Sequence, residues 1–405
     1  MQNTPKSLRL QVAILGKTNA GKSTLINFIA NQEVAIVSEI AGTTTDIVEK
    51  PMELLPFGPI LLIDSAGFAD DSLLGEKRME KTAKLFNRAD VLLLTVRNNE
   101  WGESEEFILA EAKKNNQGVI AIINHDENCE ISPEFIDEIS SKVGSKAISV
   151  NLKDLQKREE FLSALKERLF MVLPEEFIKT PDLLSDIVKA KDVVLMLIPI
   201  DIQAPKGRLI MPQVQTLRAC LDIGAIPIMC KESEFIETLK LLPAKPNLII
   251  CDSQVVDFMV KNIPDDVDCT TFSILFSRLK ADVRIMAEGA MQISELQDGD
   301  KILIAESCSH HPTHDDIGRV KIPLLLKKKT GKKLQFDFYA GSDFPENLKE
   351  YSLVIQCGSC MLNRRETLSR VQKAVDSGVP ISNYGMVISA CQGVFERVMR
   401  VFLRG

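Results

Sequence analysis

The sequence predicts an α/β protein of three successive domains, the first a doubly wound parallel sheet, and three observations carry that reading. Short apolar runs alternate with helix-length segments from residue 9 to 175. The alternation stops at Pro174 and Thr180-Pro181, then restarts on a smaller scale at Val193. It restarts again near Lys301, where strand-like runs lead directly into cysteines.

In the first domain, residues 1–178, strands are expected at Leu10–Leu15, Ile60–Ile63, Val91–Val96, Val119–Ile123 and Ala147–Val150. A proline biases the residue before it toward extended geometry, so Thr180-Pro181 marks a linker near residue 178. The second domain, 179–280, has strands at Val193–Ile198, Ile226–Met229 and Leu248–Cys251, with a helix over Gln213–Leu221 after Pro212. It shows no catalytic set, which suggests an interaction surface for self-association. Cys220, Cys230, Cys251 and Cys269 read there as core thiols. The third domain, 281–405, has strands at Lys301–Ala305 and Leu353–Ile355 and a helix over Leu362–Asp376, ended by Gly378 and Pro380.

The chain has 405 residues, enough for each domain to bury its own core. Its 56 acidic against 49 basic residues give a net charge of -7, and no broad basic face is expected to meet nucleic acid. The dense basic run, Lys327 to Lys329 with Lys332-Lys333 around Thr330-Gly331, reads as a solvated hairpin. The longest apolar run, Val193 to Ile198, is too short to span a bilayer, and no signal peptide is seen. A soluble, cytoplasmic protein is expected, without a membrane partner. Nine cysteines, an odd number not spaced as a disulfide framework, fit a reducing compartment.

Gly16-Lys17-Thr18-Asn19-Ala20-Gly21-Lys22-Ser23 fits G-x-x-x-x-G-K-[ST] directly after the first strand, with Thr24 opening a helix. In that context backbone N–H groups cradle phosphates, Lys22 reaches the β and γ phosphates, and the Ser23 hydroxyl binds Mg²⁺. Asp64-Ser65-Ala66-Gly67 follows a second strand, as expected of an Asp supporting Mg²⁺ and a Gly whose N–H meets the γ phosphate. Between them, Gly42-Thr43-Thr44-Thr45-Asp46 reads as a switch segment with Thr44 closing on the metal. Asn124-His125-Asp126-Glu127 stands where a guanine-reading Asn-Lys-x-Asp is usual. Glu127 is one methylene longer than that Asp, and His125 replaces the lysine stem. GTP remains the expected nucleotide because a carboxylate keeps the fourth position. Ser149 fits the last base-contacting element.

Cys308, Cys357 and Cys360 form a second candidate site. A CxxC turn presents two thiolates to one metal, and a distant cysteine closes the set. Cys360 is expected at a helix N-terminus, and alternation along a strand puts Glu306 and His310 on the Cys308 side, with His311 and His314 nearby. Spacing leaves two readings open, a Cys₃His zinc site and an iron-sulfur cluster with an exchangeable fourth ligand.

The nucleotide motifs resemble the translation-factor-related GTPases, most closely the potassium-activated group that includes the tRNA-modifying GTPase MnmE. That resemblance implies K⁺ at Asn19 and a catalytic acid twelve residues beyond Asp64, at Glu76. Taken with Pro212-Gln213-Val214-Gln215-Thr216, Glu306 to His311, Asp315 to Val320 and Cys357 to Asn363, the whole chain resembles the HydF family of [FeFe]-hydrogenase maturation factors. The resemblance implies a P-loop GTPase domain, a dimerisation domain and a domain carrying a [4Fe-4S] cluster on three cysteines. It further implies a homodimeric scaffold that receives a diiron precursor from the radical enzymes HydE and HydG and passes it to the hydrogenase apoprotein. Where that family carries His-Cys-x-x-Cys, this chain has Gln356, which moves the fourth position to Glu306, His310 or solvent. The rival class is a tRNA-modification or ribosome-assembly GTPase with structural zinc, and a third reading is a metal-sensing regulator.

Overall fold

A strand covered on both faces needs no polar alternation, and Leu10–Leu15 (β1), Gly58–Asp64 (β3), Val91–Arg97 (β4) and Gly118–Asn124 (β5) are buried along nearly their whole length. The computed structural model describes residues 9–31, 48–64, 85–173, 183–200, 209–307, 316–341, 343–359 and 362–403. They fall into two units, Met1–Thr180 and Pro181–Gly405.

In the first unit, β1, β3, β4, β5 and Ile148–Val150 (β6) are parallel in a six-stranded sheet of order β2-β3-β1-β4-β5-β6. Neighbouring residues of β1 supply opposite faces. Val12 and Ile14 pack with Phe161 and Leu165 of the helix Arg158–Val172, whereas Ala13 and Leu15 pack with Ile108 and Ile139 of two others. The expected parallel sheet needs one correction: Val48–Leu54 (β2) adds an antiparallel edge, with Val48 opposite Asp64 and Leu54 opposite Gly58. Glu49, Lys50, Pro51 and Glu53 break any apolar run there, and an edge strand tolerates that proline. Ser149 lies within β6 and is exposed.

The second unit holds two four-stranded parallel sheets. Val193–Leu197 (β7), Ile226–Cys230 (β8), Leu248–Cys251 (β9) and Asp268–Thr271 (β10) run in the order β10-β9-β7-β8. Lys301–Ala305 (β11), Gln335–Tyr339 (β12), Leu353–Gln356 (β13) and Ile381–Asn383 (β14) run in the order β12-β11-β13-β14. One apolar core spans both sheets, from Leu195, Phe235 and Ile249 to Ile304, Ile355 and Met386. Cys220, Cys251 and Cys269 are buried within the unit as expected, and Cys230 is half-buried.

The basic run is not a hairpin. Lys327, Lys328 and Lys329 form the last turn of the helix Ile322–Thr330, and Gly331 caps it at φ 71°. Three cations there meet the negative end of the helix dipole. Likewise the helix expected from Leu362 begins at Arg364, because the Asn363 side chain accepts the Glu366 N–H and sets the cap. Among the described residues no helix is long and apolar enough to cross a membrane.

Candidate functional site

The first site forms where β1 runs into the helix Lys22–Ala30. Gly16 and Gly21 adopt φ of 149° and 99°. A β-carbon at either would strike Thr95 or Asn124, so only glycine lets the loop curl this tightly. Lys22 is 7% exposed, and its Nζ donates to the carbonyls of Gly16 at 3.0 Å and Lys17 at 2.7 Å. Burial pushes its pKa from 10.5 down to about 8, against the opposing pull of the Asp64 carboxylate. Ser23 Oγ donates to Asp64 Oδ2 at 3.1 Å, and Asp64 is buried at the end of β3. A hydroxyl and a carboxylate so placed at a helix N-terminus suit Mg²⁺ beside a phosphate. Ala20 and Asn19 complete the loop, Asn19 with φ 63°, and Thr24 lies in the first helical turn.

The base-reading element is tied to this loop from the other side. Asn124 Nδ2 donates to the Ala20 carbonyl at 3.2 Å, and its Oδ1 accepts from Leu152 N at 3.4 Å. One amide therefore joins the phosphate loop to the segment after β6. Glu127 is exposed. The neighbouring Asp126 carboxylate is held by Arg97 at 3.3 Å, which lowers its pKa.

Sequence reading missed the Lys17–Glu105 ion pair at 3.1 Å, in which the Glu105 side chain is 1% exposed. Glu105 also accepts from Gly102 N, so it caps its own helix and anchors the loop together. Gly102-Glu103-Ser104-Glu105 held a readable signal, an acidic residue three positions past a helix start. Thr43, Thr44, Gly67 and Glu76 lie outside the described residues.

The second site sits at the carboxyl ends of β11 and β13. The chain leaves β11 for β12 on one side and returns to β13 on the other, so a crevice opens between these strand ends. Cys357 occupies it. Its Sγ accepts the backbone N–H of Ser307 at 3.0 Å and of Ser359 at 3.4 Å, and the Ser307 hydroxyl lies 3.1 Å away. Ser359 reaches the sulfur by adopting φ 51°. Backbone donors converging on one sulfur suit a metal-bound thiolate, whose lone pairs accept hydrogen bonds. Cys308, His310, His311, His314 and Cys360 lie outside the described residues. Among those described, no cluster of three metal-binding side chains is present.

Glu306 is 2% exposed, and its Oε2 accepts both Nε and Nη2 of Arg319 at 3.1 and 2.9 Å. Gly318 packs so closely that a β-carbon would meet Glu306 Oε1 at 2.9 Å. The carboxylate expected as a ligand is thus gripped by a guanidinium. Arg370, 3% exposed on the helix Arg364–Asp376, donates through Nη2 to the Gly341 carbonyl and stacks over Phe344 at 5.1 Å. Burial lowers its pKa, while Glu366, Cys357 and Asp343 draw it back. Among the described residues its Nη1 has no hydrogen-bond partner.

Three family models match the chain in succession. They are a 50S ribosome-binding GTPase over 11–125, a hydrogen maturase F dimerization domain over 183–281, and a hydrogen maturase F tetramerization domain over 284–401. The tRNA modification GTPase MnmE of Lactobacillus helveticus is 32% identical over 160 residues, 38% of this chain and 34% of that protein. MnmE of Staphylococcus aureus is 37% identical over 116 residues, 28% of this chain and 25% of that one. The chain therefore spans about a third or less of these relatives, and both matches are confined to the GTPase domain. Among solved structures, Aquifex aeolicus Era bound to GDP and AlF4- aligns at 18% identity and TM-score 0.35, covering 82% of this chain and 92% of that one. The G domain of the Thermotoga maritima FeoB iron transporter aligns at 22% and 0.31, covering 40% and 98%. Both scores are too low to support an argument from shape. The first domain is a GTPase domain that binds GTP with Mg²⁺, and the two matches that follow it concern self-association. GTPase, dimerization and tetramerization domains in that order make the chain a member of the HydF hydrogen maturase family.

Proposed function

We propose that this GTPase is a cluster-bearing scaffold for hydrogenase maturation. In this reading Cys308, Cys357 and Cys360 hold a [4Fe-4S] cluster, and the protein accepts a diiron precursor from HydE and HydG and delivers it to the [FeFe]-hydrogenase apoprotein. The observation supporting it most directly is the pair of backbone N–H groups on Cys357 Sγ, in a crevice between strand ends. When bound, the cluster supplies an iron able to exchange a ligand. The chain's own residues do the rest: Ser307 and Ser359 orient the sulfur, and Arg370 contributes positive charge beside it. Arg319 holds Oε2 of Glu306 and leaves Oε1 as its remaining oxygen, so the fourth position falls to Glu306, His310 or solvent.

At the nucleotide site Lys22, Ser23 and Asp64 hold phosphate and Mg²⁺, with Thr44, Gly67 and Glu76 as the switch and catalytic set and K⁺ on Asn19. GTP binding orders the switches and hydrolysis releases them, which changes contacts with partners but does not drive metal chemistry directly. Domain limits at residues 178 and 280 divide these tasks. The dimerization domain offers a surface in β8, an edge strand whose residues are all at least partly exposed, Ile226 at 50%. The test is an anaerobic iron and sulfide determination with EPR of the reduced protein. About four irons per chain, lost in Cys357→Ser and retained in Lys22→Ala, is the expected result. Stoichiometric zinc that resists replacement by iron would refute the scaffold.

A further inference from the structure

The phosphate loop is held in a shape its backbone does not favour by itself. Asn19 stands in the left-handed region at φ 63°, between Gly16 at 149° and Gly21 at 99°. Such a backbone persists only where its surroundings fix it. Asn124 fixes one flank, through the Ala20 carbonyl. Lys17 stands on the other. Its carbonyl accepts Lys22 Nζ at 2.7 Å and the Ala20 N–H at 3.2 Å, while its side chain leaves the loop and meets Glu105 Oε2 at 3.1 Å. The same carboxylate oxygen accepts the Gly102 N–H at 3.0 Å, which ties it to the start of the helix Glu103–Lys114. Gly102 leaves room for the ammonium, since a β-carbon there would lie 3.0 Å from Lys17 Nζ. The Glu105 side chain is 1% exposed and that of Lys17 37%. A carboxylate so buried needs a cation beside it, and the loop supplies one.

We infer that Glu105 is a positioning residue for nucleotide binding. It holds Lys17, and through Lys17 the phosphate loop, in the receiving shape before any phosphate arrives. The inference rests on Lys22 and Ser23 as the phosphate and Mg²⁺ site. When a phosphate draws Lys22 off the Lys17 carbonyl, the ion pair with Glu105 is left to keep Lys17 in place. A loop already shaped needs little ordering on binding, so the contribution falls on affinity and not on the chemical step. Charge alone would act in the opposite direction, because a carboxylate near a phosphate site repels the ligand and its removal would tighten binding.

Glu105→Gln keeps the side-chain length and an oxygen for the Gly102 N–H, and removes the charge. Isothermal titration of the full-length variant with GDP should give a Kd about tenfold above wild type, the worth of one charge-assisted hydrogen bond. The specificity constant kcat/KM for GTP should fall by the same factor, carried by KM rather than kcat. Tighter or equal GDP binding overturns the role, and so does a kcat that falls as far as kcat/KM. Lys17→Met should cost the same factor, and the double variant no more than either single one, whereas additive losses overturn the pairing. Trp101, the chain's single tryptophan, donates to Glu106 at 2.6 Å beside the same helix start, so its unchanged emission shows that the fold there is intact. Should Glu105→Gln fail that check, Lys17→Arg and Lys17→Met carry the test, with affinity kept by the first and lost by the second. Equal affinities in those two overturn the role. A wild type that binds no GDP overturns the phosphate site itself and the role of Glu105 with it, whereas normal binding in wild type confines a loss to Glu105.

Discussion

Nucleotide affinity should fall with rising pH because of Lys22. In the nucleotide-free protein burial holds this ammonium at a pKa of about 8, against 10.5 for an ordinary lysine, a cost of roughly 3 kcal/mol for keeping the charge. Between those values the unfolded chain binds more protons than the folded one, so the stability of the nucleotide-free protein rises with pH across that window. A bound phosphate reverses the preference, since Lys22 exchanges the Gly16 and Lys17 carbonyls for anionic oxygens and takes up a proton. From about pH 7 to about pH 9 the charged fraction of free Lys22 falls about tenfold, and GDP affinity should fall by the same factor, or ~1.4 kcal/mol. Isothermal titration in buffers of different ionisation enthalpy reads both the affinity and the proton uptake. Lys22→Met removes the titrating group while leaving the nucleotide's own titration in place. Equal pH slopes in wild type and variant would refute the argument.

Other residues give sharper contrasts. Glu127→Asp should shorten the base-reading carboxylate to its usual reach and tighten GTP about tenfold over wild type, a charged hydrogen bond being worth ~1.5 kcal/mol or more; unchanged binding in a competition titration would remove Glu127 from the base site. Arg319→Met should cost about 3–5 kcal/mol by leaving Glu306 buried and unpaired, whereas Glu306→Leu with Arg319→Met should recover most of it, as read by denaturant unfolding. Under the proposed cluster assignment, Arg370→Met should lower the reduction potential by about 60 mV, the equivalent of ~1.4 kcal/mol of lost charge stabilisation. An unshifted potential in spectroelectrochemical titration would place that guanidinium outside the cluster's field.

Strands whose burial is complete are legible in the residue pattern alone. Leu248–Cys251 and Lys301–Ala305 fall where their apolar runs predict, because a strand enclosed on both faces has nothing polar to interrupt the pattern. Strands without a run of apolar residues are not. Asp268–Thr271 and Gln335–Tyr339 are too polar, and Ile381–Asn383 too short, to stand out. The same limit applies to the sites. Lys22, Ser23 and Asp64 belong to a motif with fixed spacing, and the structure brings them together. Arg319, Arg370 and Asn383 reach the Cys357 region from separate elements, and no local spacing announces partners that only the topology assembles. Glu306 shows the converse: strand alternation assigns it a side, but only the fold reveals the arginine that claims its carboxylate.

The continuous core beneath the two four-stranded sheets has a consequence for how this protein can be divided. A fragment starting near residue 281 would strip Ile249, Phe235 and Val256 away from Met286, Ile304 and Met386, leaving an apolar wound where the core had been. Such a fragment should aggregate when expressed by itself. The dimerization and tetramerization domains thus share one core and should fold only when expressed together.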